Sequence, residues 1–585
     1  MRASFLRAAC AAAVLGVLAT ACTSSSSPDD VDATASPSAT DASPDTTPSP
    51  SEPTTLRWAL SANPSSIDPR FAVDDDGLLV VDALFDSLVA LDDDLTTIVP
   101  AAASSWDLSE DGLVLTFTLR SGATYSDGTA VVAEDFVRAF QRIVARDVEP
   151  ASFQYRLLEP VVGFEEAVAN DVPLSGVVAL DAATLQITLQ YPVAEFLEVL
   201  AHPALAPVPA AADDVAAFGT QPIGNGPFAM VQEWQQNQFI RVARVDGHPT
   251  EAEVDEVVFQ IYAGDATREQ QFADFERGQL DVAEVPPAQL TSAAEAHGSS
   301  SDGFTGPGVL DGTTSTLYYF GFNTDRAPFD DPDVRRAVSM VIDREAIVDD
   351  LTFGARVIAD TLVPPSLPGG VAGRCAYCVH DVAAARALLG ADDAASTDEP
   401  SPDDTATATD AETPEDGAVL PMDEPLRLVH NTGETNTRIA EAVAEAIETT
   451  LEVEVDVESA DLDDYLEVLR TGDMHLFRLG YQAEHPSPGA LLQPLFRTAN
   501  VGSDNLSRYS DPEVDRLLAE ARVTLDPAAR QELYTQAETL VLDAMPVAPV
   551  FFYRHTKVVA DGVDGLTLDA LGRVRLHEVT KAATG

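Results

Sequence analysis

Leu426-Arg427-Leu428-Val429-His430 reads as a strand and residues 435–450 as a helix; Leu451-Glu452-Val453-Glu454-Val455-Asp456-Val457 reads as a second strand, apolar at every other position. Residues 463–470 return to helical spacing and 474–479 to a strand. Strand, helix, strand with short links predicts a parallel sheet layered by helices, because parallel neighbours need a crossover of about this length. The class is α/β.

Further along, Ser510-Asp511-Pro512-Glu513 predicts a helix start, with the Asp as N-cap and Pro at the first helical position. Its apolar face is Val514, Leu517, Leu518 and Ala521; a second helix over 527–542 and a strand over 546–553 follow. On the N-terminal side, residues 391–425 are acidic, Thr- and Pro-rich and without periodicity, which predicts a disordered surface insert. Before it, Asp331-Pro332 opens a helix with Val334, Ala337, Val338, Val341 and Ile342 inward, after a strand over 317–323. A hairpin is expected over 106–119, turning at Asp111-Gly112, and a helix over 133–144 with Phe136, Ala139, Phe140 and Ile143 on one face. Strands at 56–60, 185–189, 239–245 and 254–262 and a helix at 78–88 complete the pattern.

The first residues carry Arg2 and Arg7, an Ala/Val/Leu-rich run from Ala8 to Leu18, and then Ala19-Thr20-Ala21-Cys22. This reads as a secretory signal over 1–21 ending in a lipobox, with Cys22 as the lipid attachment point. Two or more acyl chains suffice for stable attachment. Residues 22–53, almost all Ser, Thr, Pro, Asp and Ala, have nothing to bury and read as a disordered tether. The expected location is the extracytoplasmic face of the cell membrane, and the expected state a monomer.

The formal net charge is −62, with Lys557 and Lys581 the two lysines. Leaving out the eighteen acids of the two low-complexity segments, together with Arg2 and Arg7, the body still carries −46. Such a surface repels phosphate backbones and excludes nucleic acid as a partner; it also suggests adaptation to salt.

No His pair has metal-ligand spacing, and neither a Gly-x-Ser-x-Gly elbow nor a phosphate loop occurs, so neither catalysis nor a cofactor or metal is expected. Cys375-Ala376-Tyr377-Cys378 could be redox-active, half a zinc site or a local disulfide; with no second pair to complete a zinc site, a structural disulfide is favoured outside the cytoplasm.

Leu119-Arg120-Ser121-Gly122-Ala123-Thr124-Tyr125-Ser126-Asp127-Gly128, continuing to Ala133-Glu134-Asp135-Phe136, resembles a family signature: a strand, a Ser-Asp-Gly turn and a helix opened by an Asp. The family is that of the large extracytoplasmic solute-binding proteins of peptide and nickel ABC importers, family 5, and the resemblance is to its oligopeptide-binding members. Ile223-Gly224-Asn225-Gly226-Pro227-Phe228, Gly321-Phe322-Asn323-Thr324, residues 328–344 and Tyr509–Asp515 add blocks in the same order. The resemblance implies a two-lobed, periplasmic-binding-protein-like (type II) fold with an extra α+β domain on the first lobe. The expected boundaries are 54–95 lobe I, 96–180 extra domain, 181–310 lobe I, 311–548 lobe II with the insert, and 549–585 the return to lobe I. It also implies a substrate-binding lipoprotein that captures oligopeptides between closing lobes and delivers them to ABC permease subunits. Another small solute, such as a nickel chelate or an oligosaccharide, or a non-transport sensor role, are the alternatives.

In the oligopeptide-binding members an Arg and, six residues later, an Asp sit in the cleft, the Asp pairing with the peptide's ammonium. Arg478 and Glu484 resemble that pair, with Glu for Asp. Arg478 would hold a ligand carboxylate or orient Glu484. Tyr481, Phe153 and Tyr553 fall where the family has cleft aromatics, while Leu462 or a neighbour stands where it often has Trp.

Overall fold

The computed structural model describes residues 53–582 except 93, 147–151, 265–266, 391–419, 421 and 423. The expected signal segment, Cys22, the tether and most of the 391–425 insert lie outside the described residues.

Helix starts follow local chemistry. Asp331 accepts a hydrogen bond from the Asp333 amide at 2.9 Å and caps Pro332–Val341, which buries Val334, Ala337, Val338 and Val341. Asp511 accepts from the amides of Glu513 and Val514, at 2.7 and 3.3 Å, and caps Pro512–Val523; Asp526 does the same for Pro527–Ala544. Each Asp satisfies amides that the first turn leaves without a partner, and the Pro loses nothing there. In the signature block, Asp127 accepts from the amide and hydroxyl of Thr129, and Gly128 takes φ +85°, a conformation that favours glycine. The helix Ala133–Val144 follows; Asp135 stands at its third position rather than its start, accepting from the Val132 amide at 3.0 Å and pairing with Arg138 at 2.9 Å.

Three sheets organise the chain. A seven-stranded sheet runs in the order Gly308–Leu310, Lys557–Val559, Val282–Glu284, Thr55–Leu60, Glu256–Ile261, Phe239–Arg244 and Phe228–Met230. A six-stranded sheet runs Arg356–Ile358, Val547–Arg554, Thr313–Phe322, Leu476–Gln482, Leu426–Asn431 and Val455–Ala460. A four-stranded antiparallel sheet, Ala103–Leu108, Val114–Leu119, Thr184–Thr188 and Val177–Asp181, packs against Ala133–Val144.

The structure corrects three expectations. The six-stranded sheet is mixed: Leu426–Asn431 pairs in parallel with both neighbours, but Thr313–Phe322 pairs antiparallel with Leu476–Gln482 and Val547–Arg554. The helix expected to stop at 450 runs to Leu451 and is closed by Glu452 in a left-handed conformation, φ +56°, so the next strand begins at Val455, in register with Leu426. The expected boundaries at 180 and 548 fall too early, because Thr184–Thr188 belongs to the four-stranded sheet and Val547–Arg554 to the six-stranded one. The chain passes between the larger sheets at 311–312 and 555–556.

Cys375 and Cys378 are joined in a disulfide, Cα to Cα 5.4 Å, and both are buried. No helix among the described residues is long and apolar enough to cross a membrane.

Candidate functional site

The two crossings run side by side. The His555 amide donates to the Gly312 carbonyl at 2.9 Å, and Arg554 pairs with Asp311 at 2.6 Å. Beyond them Thr556 is tied into the seven-stranded sheet, its hydroxyl donating to Glu284 at 2.9 Å and its carbonyl accepting from the Val285 amide at 2.6 Å. Two short neighbouring links between two sheets make a hinge, and the space between the sheets beside it is a cleft.

That cleft holds a cavity of about 580 Å³. Ser61, Asp75, Asp76 and Lys557 line it from one side, and Thr314, Arg356 and Tyr553 from the other. Through Asp75, Gln482 and Gly572 it adjoins a second cavity of about 200 Å³, which Leu79, Arg573 and Glu484 also line. Gln154 and Glu484 are shared in turn with a third, about 220 Å³, lined by Arg156, Tyr481 and Asp504. The shared walls make an elongated run, with Glu484 at the junction of its two inner spaces.

Glu484 lies just past the strand Leu476–Gln482, open to the cleft but surrounded by protein. No described cation pairs with its carboxylate; Arg573 donates to its backbone carbonyl at 3.2 Å. Burial, with the nearby Asp504 charge adding to it, pushes its pKa up to about 7. Asp504 has a partner in Arg156, 3.6 Å away.

Arg478 is buried and also lacks a carboxylate partner among the described residues. Its guanidinium donates to Asn431 Oδ1 at 2.6 Å and the Tyr553 hydroxyl at 3.3 Å, and lies 4.3 Å over the Tyr318 ring, itself stacked on Phe551. The aromatic faces and the two oxygens spread its charge, and its Nε has no acceptor. Arg478 and Tyr481 are three residues apart on a strand whose side chains alternate, so they leave on opposite faces. Tyr553 lines the large cavity with Arg356 4.5 Å above its ring, whereas Tyr481 lines the innermost one. The structure thus joins Arg478 to Tyr553 and Tyr481 to Glu484, and makes no contact between the side chains of Arg478 and Glu484. Phe153 opens the turn Phe153–Leu158, and its side chain lies outside what is described.

A sequence model described as bacterial extracellular solute-binding proteins, family 5 Middle, matches residues 97–503. This chain belongs to family 5. The oligopeptide-binding protein OppA of Bacillus subtilis (strain 168) is 27% identical over 531 residues, 89% of this chain and 91% of that protein. The probable deoxycholate-binding periplasmic protein YgiS of Escherichia coli (strain K12) is also 27% identical, over 530 residues, 88% of this chain and 90% of that one. The unliganded open form of the murein tripeptide-binding protein MppA superposes with a TM-score of 0.70 at 24% identity, covering 91% of this chain and 98% of MppA. The fold is therefore the two-lobed one of family 5 solute-binding proteins.

The cleft of this family 5 chain contains charged residues that sequence reasoning missed. Lys557 is bonded to Glu284 beside the hinge. Burial works to raise the Glu284 pKa, but Lys557 and Arg268, with the Lys557 and Thr556 hydrogen bonds, outweigh it and bring it to about 2. Asp75 and Asp76 are held above the usual carboxylate range by burial, Asp76 at about 6. Gln482 reaches from the six-stranded sheet to Asp75 at 3.5 Å and the Leu571 carbonyl at 3.4 Å. Lys557 had a signal, as one of two lysines in a chain with 96 acids; the two aspartates had none, lying in the run Asp74-Asp75-Asp76 of an acid-rich chain.

Proposed function

We propose that this chain is the capture subunit of an ABC importer for peptides, binding them by their free ammonium end between two closing lobes and releasing them chemically unchanged. The observation that carries the reading is Glu484, a carboxylate without a cation partner among the described residues, at the junction of two cavities, whose charge burial disfavours. A ligand ammonium supplies the missing charge, and as the lobes exclude water the pair strengthens. The elongated cavity run suits an extended backbone, with Tyr481 beside the ammonium and Tyr553, backed by Arg478, toward the hinge. Arg478, positive and without a carboxylate among the described residues, is the charge we assign to an anionic end or side chain of the ligand, acting from behind Tyr553. A bile acid, the class named for YgiS, offers no ammonium and would leave Glu484 uncompensated.

Lipidation at Cys22 would hold the protein at the extracytoplasmic face of the membrane, where as a monomer it would present the closed, loaded form to the permease. The tripeptide Ala-Ala-Ala and its N-acetyl form, titrated by calorimetry into the native protein and Glu484→Gln, test the binding mode. The free peptide binds the native protein about 30-fold or more tightly than it binds the variant, the loss typical of truncating one partner of a buried charge pair. The acetylated peptide binds both poorly. Equal affinity for the two peptides removes Glu484 from ligand recognition.

A further inference from the structure

Past Glu484 the chain runs through Ser487 into the helix Gly489–Phe496, and this segment is tied to a carboxylate far away in sequence and on the other lobe. Glu195 follows the strand Thr184–Thr188 of the four-stranded sheet and precedes the short helix Phe196–Leu200. Ser487 donates its hydroxyl to Glu195 Oε1, Tyr534 donates to Oε2 at 2.9 Å, and Arg530 Nε lies 3.3 Å from Oε1. All three donors belong to the lobe of the six-stranded sheet: Tyr534 and Arg530 stand on Pro527–Ala544, which packs against Gly489–Phe496 and Pro332–Val341. Glu195 is 6% exposed, Ser487 5% and Tyr534 1%.

The approach is close enough to need a glycine. A Cβ on Gly489 would come within 2.7 Å of Glu195 Oε2 and collide with the Tyr534 hydroxyl. One residue before Glu195, the Ala194 amide donates to the Arg522 carbonyl at 2.9 Å, and Arg522 in turn donates to the Tyr191 hydroxyl at 3.2 Å and lies over its ring. Residues 191–195 therefore dock as a unit on the opposite lobe, against the wall of the innermost cavity, which Glu195, Gly489 and Glu484 all line.

We infer that Glu195 is a positioning residue that latches the two lobes together and fixes the 484–489 segment, and through it Glu484, in the ligand-facing conformation. Lobes that part about the hinge at 311–312 and 555–556 withdraw Ser487, Tyr534 and Arg530 from Glu195. Its carboxylate then returns to water, so the bonds act only in the closed form. A group that interacts with one of two states shifts the population toward that state by its differential free energy. The inference does not depend on which solute is bound.

The test uses the full chain freed of ligand, with hydrogen exchange, X-ray scattering and thermal unfolding measured together. With the free protein divided about equally between open and closed forms, Glu195→Ala removes about tenfold of the closed form's advantage, the worth of one hydrogen bond to a charged group, and amides of 191–197 and 485–491 exchange about twofold faster. The radius of gyration rises, while Tm stays within about 2 °C because the open form, which never contained the bonds, already makes up about half of the free protein. Tyr534→Phe and Gly489→Ala, altered on the other side, move the same two segments in the same direction, and Glu195→Gln, which keeps its acceptor oxygen, moves them less. Unchanged exchange in Glu195→Ala overturns the inference. So does exchange that rises throughout the four-stranded sheet with a fall in Tm, which makes Glu195 an ordinary core residue of one lobe. Neither result bears on the peptide reading, which stands or falls on Glu484.

Discussion

A carboxylate whose pKa burial has raised to about 7 is half protonated in a neutral, ligand-free cleft. Bringing an ammonium against it favours the ionised form, so binding releases the proton wherever Glu484 still holds one. The sign follows: affinity for a free-amine peptide declines as pH falls through 7, where Glu484 takes up its proton, and declines again above about pH 8, where the peptide's own ammonium loses one. At pH 5 the native protein binds Ala-Ala-Ala about tenfold more weakly than at pH 6, with close to one proton released per peptide, as seen by calorimetry in buffers of different ionisation enthalpy. Glu484→Gln, which cannot titrate, shows a flat profile over the same window. A native profile equally flat would mean that ligand and carboxylate do not meet. At this scale the sequence was legible in part. The sequence placed Arg478 on a strand and Glu484 at its exit, as Leu476–Gln482 has them, but strand alternation sends Arg478 and Tyr481 to opposite faces. Glu195, in a run with no marked local pattern, becomes visible only when Ser487 and Tyr534 are brought to it.

Among the elements, those with a chemical start signal were the most legible. An Asp followed by a Pro encodes both the acceptor and the tolerated missing donor of a first helical turn. Removing the acceptor is accordingly expected to matter: Asp511→Ala leaves the amides of Glu513 and Val514 to water and destabilises the lobe by about 1 kcal/mol, read as a lowered urea midpoint with unchanged slope. No change in the midpoint would show the cap to be dispensable. Where the signal was periodicity alone, boundaries moved. Leu451, Val453, Val455 and Val457 alternate as a strand does, yet Leu451 and Val453 are buried at a helix end and in the link after it. The pairing Leu426 with Val455 decides where the strand starts, and that register is long-range information. The mixed character of the six-stranded sheet has the same origin: the local strand–helix–strand order describes the neighbours of Leu426–Asn431 but not those of Thr313–Phe322.

For the whole molecule, the hinge, the cavity run and the Glu195 contact describe one device. Two lobes joined by adjacent links at 311–312 and 555–556 can open without breaking either core, and closing returns Glu195 to Ser487, Tyr534 and Arg530. The acidic body, −46 outside residues 1–53 and 391–425, opposes closure by self-repulsion, so a cationic ligand end and a buried cross-lobe carboxylate with three donors both favour the shut form. A capture protein that works this way must change shape when loaded and leave its cargo intact. Small-angle X-ray scattering of the native protein, alone and saturated with Ala-Ala-Ala, with the peptide recovered afterwards by mass spectrometry, tests that claim most directly. The account predicts a smaller radius of gyration with the peptide and an unaltered mass on release; superimposable curves across bound and free protein, or a cleaved peptide, would contradict it.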